Sequence, residues 1–353
     1  MPGPETNDNV ESTSWQGERK GKSYFRIQGE LWRDEEIEPA ARSPRVRRDL
    51  VSTGISYVVD ASGGTMTSEE LNDQDKARWL WFKPSVVSEL LKHRGSGFRW
   101  YTRETGGVSC GPGSPTHFGL NAAGLITVYA YDVAKLDVWQ QRVWSGHNVA
   151  PEGGVSKELI SAQMRAVVAE TKAPEQIFEK LLAELDPLFV AATGSPLFRA
   201  HTGMEKLQAS INRFRALEHD GLFALAKDIM RLFADRIDVD PLQKFASPPP
   251  REKWGSLKSL EKYLATLIPA GDARKVMGPL FGVYELRLAD AHLAANDLKN
   301  SFELARIDQH ASQLDQGCSL IDSVAYALWT VGEIVYRNVS GRQETSEAAV
   351  PTE

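Results

Sequence analysis

Arg287 and His292, with Asp290 between them, are the residues whose types and spacing best suit metal-free chemistry on RNA. RNA cleaves itself when its 2′-hydroxyl attacks the adjacent phosphate. A histidine near neutral pKa can take that proton, or supply one to the leaving oxygen. An arginine brings fixed positive charge and forked donors to the phosphorane as its charge builds. Such a site needs no metal and no cofactor, and none is expected.

The chain holds 24 arginines and seven histidines, and histidine follows arginine with four to six residues between them three times: Arg142–His147, Arg213–His219 and Arg287–His292. Chance alone gives about 1.4 such pairs for so short a motif, so the setting must choose among them. Arg142–His147 leaves a helix beside a connecting segment and is set aside. Arg213 and His219, in a helix followed by Asp220-Gly221, form the second-choice site. Arg287 and His292 stand near a helix end, with Asp290 as polar companion and a new helix start near Asn296-Asp297.

The segment Tyr284-Glu-Leu-Arg287-Leu-Ala-Asp290-Ala-His292 resembles the HEPN family, whose members are helical, usually dimeric domains, many of them metal-independent endoribonucleases. The resemblance covers at most the second half of the chain. It implies Arg287 and His292 as catalytic residues, a homodimer whose two copies complete one cleft, and a toxin or antiviral-defence role. RNA and a protein trigger are the partners it implies. Family motifs often carry a polar residue straight after the arginine, where this chain has Leu288. At 100° per residue, Arg287 and His292 lie roughly 140° apart on a helix. They converge only if the helix ends before His292 or a partner subunit completes the site. The alternative is a non-catalytic binding or scaffold protein that senses a ligand, a nucleic acid or a partner protein.

The first half offers a different candidate. Thr116-His117-Phe-Gly-Leu-Asn121 follows a Gly/Pro-rich stretch, a setting in which functional residues often sit. His117 with Asn121 could bind a ligand there. Trp79, Trp81, Trp100 and Trp139 would serve as a base-stacking platform or, more commonly, as core.

The elements that must position these residues suggest an α+β chain: a β-containing N-terminal domain, then an all-helical bundle. Residues 1–22 are polar and read as a disordered arm. Residues 23–148 form the β-rich domain. Alternation in Ser23–Leu31 predicts a strand, ISYVVD (55–60) and WLWFK (79–83) are further strand candidates, and FRWYTR (98–103) and GLITVYAYD (124–132), rich in aromatic and β-branched residues, predict two more. GGVSCGPGSPTHFGLNAAG between the last two predicts a long loop. Asn148–Ser156 has the composition of a linker. Residues 149–339 read as helices throughout, with starts at Ser156 and Pro174 and stretches near 203–219, 220–236, 257–267, 272–291 and 314–337. Residues 340–353 read as a disordered tail. On the last helix Ala325, Ala327 and Gly332 lie among Val324, Leu328, Val331 and Val335. That pattern suits a domain core or a dimer seam.

Two cysteines, Cys110 and Cys318, make no disulfide framework or metal spacing. GxxxxGK[ST], HExxH, CxxC and GxSxG are absent, and a carboxylate–lysine element appears only as Glu18-Arg-Lys20. The formal net charge of −6 argues against a broad nucleic-acid surface. The densest basic run, Arg42 to Arg48, reads as a solvated loop. With no signal-like start and no run of about 18 apolar residues, a cytoplasmic protein without a membrane span is expected.

Overall fold

In the computed structural model the described residues are 10–19, 22–31, 54–110, 114–200, 202–288 and 295–347. Asp290, His292 and the Arg42–Arg48 run lie outside them. The chain divides into two compact units, Met1–Arg99 with Thr105–Ile160, and Trp100–Glu104 with Ser161–Glu353.

The first unit begins with an antiparallel hairpin, β1 (Val10–Arg19) and β2 (Lys22–Leu31), in register Trp15↔Arg26. The expected disordered arm therefore contains a strand. A short pair, β3 (Ser56–Val58) and β4 (Thr65–Thr67), leads into α1 (Ser68–Leu71), which is closed by a capping box between Thr67 and Glu70. Next come β5 (Trp79–Phe82), α2 (Ser85–Leu91), β6 (Ser96–Trp100), β7 (Thr105–Cys110), β8 (Thr116–Leu120) and β9 (Ile126–Tyr129). The unit closes with α3 (Ala130–Ala134), α4 (Val138–His147), β10 (Asn148–Val149) and the start of α5 (Lys157–Arg165). The sheet order is β10-β5-β9-β8-β7-β6.

Period two explains the sheet core. Leu80 and Phe82 point inward from β5 while Trp79 and Trp81 stay half-exposed. Phe82 packs edge-on to Trp144 at 4.7 Å, and Val87, Leu90, Phe118, Ile126 and Val128 are buried.

The stretch expected as a long loop holds the β7–β8 hairpin, with Gly107 opposite His117. Gly106 and Gly119 mark close approach, while Gly124, at φ +73°, takes a turn. A Cβ on Gly106 would lie 2.8 Å from the Phe118 ring and 2.9 Å from the Arg99 carbonyl. One on Gly119 would lie 2.6 Å from the Ser156 Cβ. The expected boundary near residue 148 moves to residue 160 for the same reason. Asn148–Val149 pairs with β5, and Ser156 and Leu159 lie on Gly119, so the linker-like segment is part of the sheet unit.

The second unit holds α6 (Pro174–Thr193), α7 (Met204–Ala209), a 3-10 turn at Arg213–Leu217, α8 (Gly221–Leu232) and a 3-10 turn at Ala234–Arg236. It continues with α9 (Val239–Gln243), α10 (Ser256–Leu264), α11 (Ala270–Leu286), α12 (Ala295–Leu304) and α13 (Gln313–Glu347). The α+β class holds. The expected helix over 203–219 is instead α7 and a 3-10 turn, and α13 runs into the expected disordered tail.

Phe178, Leu182, Phe189, Ile229, Leu260, Leu280, Leu328 and Val331 share one apolar core. Helices α6 and α13 run in the same direction. Gly317 lies against Arg213, which is bonded to Glu175 near the start of α6, while Gly332 lies beside Leu185 and Leu188 further on. Among the described residues one stretch, Gln313–Gly341, is long and apolar enough to cross a membrane by length and composition, with mean hydropathy 1.3. Half of that window is buried inside the protein, as in a core helix of a globular unit.

Candidate functional site

Helix α11 ends at Leu286, five residues short of the expected end, with Arg287 as its C-cap. The condition that the helix stop before His292 is therefore met. Arg287 does not point into solvent. Its Nη1 donates to Asp235 Oδ1 at 2.7 Å, and its guanidinium lies 5.1 Å from the Tyr284 ring centre. The turn carrying Asp235 gathers two more arginines. Arg199 Nη2 donates to the Asp235 carbonyl at 3.1 Å, and Arg236 lies over Phe198 at 4.8 Å.

The second-choice pair does not come together. Arg213 is buried in its 3-10 turn. Its Nε and Nη2 donate to Glu175 Oε1 and Oε2 at 3.0 and 2.7 Å, and its backbone N–H also donates to Oε1. Its guanidinium lies 4.2 Å from the Trp100 ring centre, and Trp100 stacks on Phe214. Burial pulls the Arg213 pKa down, but the hydrogen bonds and charge of Glu175 outweigh it and leave the pKa raised. His219, by contrast, is 94% exposed and reaches only Asp220, at 2.6 Å. A buried, clasped arginine and an exposed histidine make no common cleft.

His117 and Asn121 do not form a ligand pocket either. Asn121 is consumed by its own turn: Nδ2 donates to the carbonyls of Glu152 and Gly154, while Oδ1 accepts from the N–H groups of Ala123 and Leu125. No donor or acceptor on that side chain is left for a ligand. His117 sits mid-strand in β8. Burial lowers its pKa, against a smaller opposing pull from Asp132. Each of the four tryptophans has its own partner. Trp79 meets Tyr129, Trp81 Nε1 donates to the Gly154 carbonyl, Trp100 stacks on Phe214 and Trp139 meets His93. Among the described residues no group of three His, Cys, Asp or Glu side chains is placed to hold a metal ion.

A concavity lies elsewhere, along α6 and α13. It has a volume of about 680 Å³, within the range of roughly 300–1,000 Å³ usual for ligand sites. Its floor is Leu181, Leu185 and Gly332, and Trp329 and Tyr336 line it from α13. Between Gln176 and Leu188 the groove follows α6 for roughly 18 Å at 1.5 Å per residue. There is free space at Gly332: a Cβ there would come no nearer than 3.9 Å to Leu185 or Leu188, an ordinary contact distance. Tyr326, Trp329 and Tyr336 are 54%, 49% and 58% exposed. With Glu333 they fall within an arc of roughly 80° on α13, opposite the face that fills the core.

Sequence reading missed this groove. The small-residue pattern on α13 pointed to close packing, and Ala325 and Ala327 are indeed core, but Gly332 lines the groove. The three-aromatic arc was visible in the sequence and is the signal that could have found it. Comparison with known protein families, with curated proteins and with solved structures gave no match.

Proposed function

We propose that this chain is a binding protein whose helical unit docks a partner polypeptide in the groove between α6 and α13. The observation that carries this reading is the set of half-exposed aromatics Tyr326, Trp329 and Tyr336 beside an open apolar trough. Large exposed apolar groups clustered on one face mark interaction surfaces. Tyrosine and tryptophan are the residues most enriched where binding energy concentrates. A trough of about three helical turns suits a helix laid in a groove. A cytoplasmic setting is part of this reading; among the described residues, the one helix long and apolar enough to span a membrane has half of that window buried inside the protein.

The test is accessibility. A Gly332→Cys variant reacts readily with a maleimide in dilute purified protein, because nothing crowds that position. In cells where the partner is present, labelling at position 332 slows at least tenfold, while a Lys227→Cys control on the exposed face of α8 is unchanged. Equal labelling at position 332 in both settings overturns the reading.

A second reading is favoured by the three arginines around the Ala234–Arg236 turn. In it, the resemblance to HEPN ribonucleases is taken to imply a metal-independent endoribonuclease of toxin or phage-defence type. In that reading His292 exchanges the 2′-hydroxyl or leaving-group proton, Arg287 meets the phosphorane, and the first unit recognises RNA or a trigger. What supports it is that α11 ends before His292 and that Arg199 and Arg236 lie beside Arg287's partner, Asp235. Labelled RNA incubated in EDTA tests it. Cleavage that survives the chelator and is lost in His292→Ala and Arg287→Ala, but kept in His117→Ala, supports it. No cleavage of any RNA sinks it.

A further inference from the structure

We propose that the loop Ser247–Arg251 is a docking element for a proline-recognition domain, one whose groove sets aromatic rings beside a carboxylate. None of the loop's residues lines the α6–α13 groove, so this goes beyond the docking reading above.

The loop joins α9 to α10 through Ser247-Pro-Pro-Pro-Arg251. Each proline ring fixes its own φ, and each residue before a proline is pushed to an extended ψ. Pro248 and Pro249 are therefore held in polyproline II geometry from both sides. That geometry makes no internal hydrogen bonds and needs little ordering when a partner docks on it. Pro249 and Pro250 are exposed, and Pro248 is half-buried.

The loop is pinned at its base. Gln243 on α9 spans it: Nε2 donates to the Trp254 carbonyl at 3.5 Å and to Ser259 Oγ at 2.9 Å, while the Gln243 carbonyl accepts from Ser247 Oγ at 2.9 Å. Trp254 Nε1 donates to Glu252 Oε2 at 3.0 Å. A fixed base under an exposed tip presents a shape already formed, which lowers the ordering cost of binding.

Arg251 points to function beyond stiffness. The Glu252 N–H donates to the Pro249 carbonyl at 3.0 Å, closing a turn with Pro250 second and Arg251 third. Arg251 has φ +75°, in the left-handed region that glycine or asparagine usually supplies at this turn position. Arginine there strains the backbone, and rigidity alone does not call for it. Strain of this kind collects at binding sites. The Arg251 side chain is exposed and outside any ion pair among the described residues. From Lys244 to Trp254 three cations stand against one carboxylate, Glu252, in a chain of net charge −6. The matching groove is therefore acidic beside its aromatic rings. A polyanion would meet the cations but make no use of the proline rings.

Calorimetric titration of the full chain into a purified WW domain and a purified SH3 domain, each with an acidic proline groove, tests this. Saturable binding to at least one of them is expected. Pro248→Ala/Pro249→Ala and Arg251→Gly each weaken it at least tenfold, with an unchanged helical circular dichroism spectrum. Arg251→Gly leaves the melting temperature equal or higher, because glycine takes this φ without strain. Binding to neither domain overturns the inference. Binding that survives loss of both prolines does so too, since charge alone would then explain it, as does binding that survives Arg251→Gly. A melting temperature lowered by Arg251→Gly also overturns it, because Arg251 would then serve to hold the loop.

Discussion

The Arg213 guanidinium is clasped by both carboxylate oxygens of Glu175, and both side chains are buried, 5% and 7% exposed. The pair fastens the start of α6 to the turn before α8. Removing one partner leaves an uncompensated buried charge, which costs about 3–5 kcal/mol. Glu175→Gln and Arg213→Met are each expected to lose stability of that order in urea unfolding followed by helical circular dichroism. The double variant Glu175→Leu/Arg213→Met is expected to recover most of the loss, because two apolar groups leave no charge stranded. Single-variant losses below about 1 kcal/mol would contradict the picture of a desolvated pair.

Asn121 ties the β8–β9 turn to the segment that leads into α5. Its Nδ2 donates at 2.6 and 2.7 Å, and its Oδ1 accepts at 3.0 and 2.9 Å. Asn121→Asp turns two donors into a carboxylate facing two carbonyls. The expected cost is about 1–3 kcal/mol or more, read as a lower unfolding midpoint of the sheet unit, with no loss of RNA or protein binding. A variant as stable as the native protein would show that these four bonds are not formed.

His117 makes stability depend on pH. Burial holds its folded pKa below the ordinary 6.5. Below 6.5 the unfolded chain takes up a proton that the folded chain resists, so stability falls with pH there. The contribution is complete above 6.5 and is lost as pH drops from 6.5 toward the lowered folded value. His117→Gln is expected to flatten the melting temperature between pH 7.5 and 5.5. An unchanged slope in the variant would refute this.

The two cysteines are expected to be sluggish. Burial pushes the Cys110 thiol up to about 11, and burial raises Cys318 as well, against the opposing pull of Arg213. Only the thiolate attacks, so alkylation of the folded native chain at pH 8 should run on the order of a hundredfold slower than in urea. Fast labelling of either cysteine in the folded state would contradict the buried placement.

Much of the helical unit was legible because apolar residues recur at helical spacing. Ile177, Phe178, Leu181, Leu182 and Leu185 behind Pro174 are enough to draw α6. The strand Trp79–Phe82 was legible because an aromatic run ends at Pro84, though only the structure shows that Leu80 and Phe82 face inward. The β7–β8 hairpin was not, because Gly106 and Gly119 carry a loop's composition for a packing reason that depends on Phe118, Arg99 and Ser156. The Arg213–His219 spacing misled because distance along the chain says nothing of burial. Arg213's partner is Glu175, 38 positions earlier. The aromatic arc on α13 was readable as a face, but only the placement of α6 beside it shows which residues stay uncovered.

The most direct measurement of the central claim is a photo-crosslinking residue placed at position 336, where Tyr336 lines the groove, in the full chain expressed in cells. Irradiation is expected to give a discrete adduct heavier than the chain, and the same probe at position 227 is expected to give none. No adduct from position 336, or equal yields from both positions, would contradict a docking groove between α6 and α13.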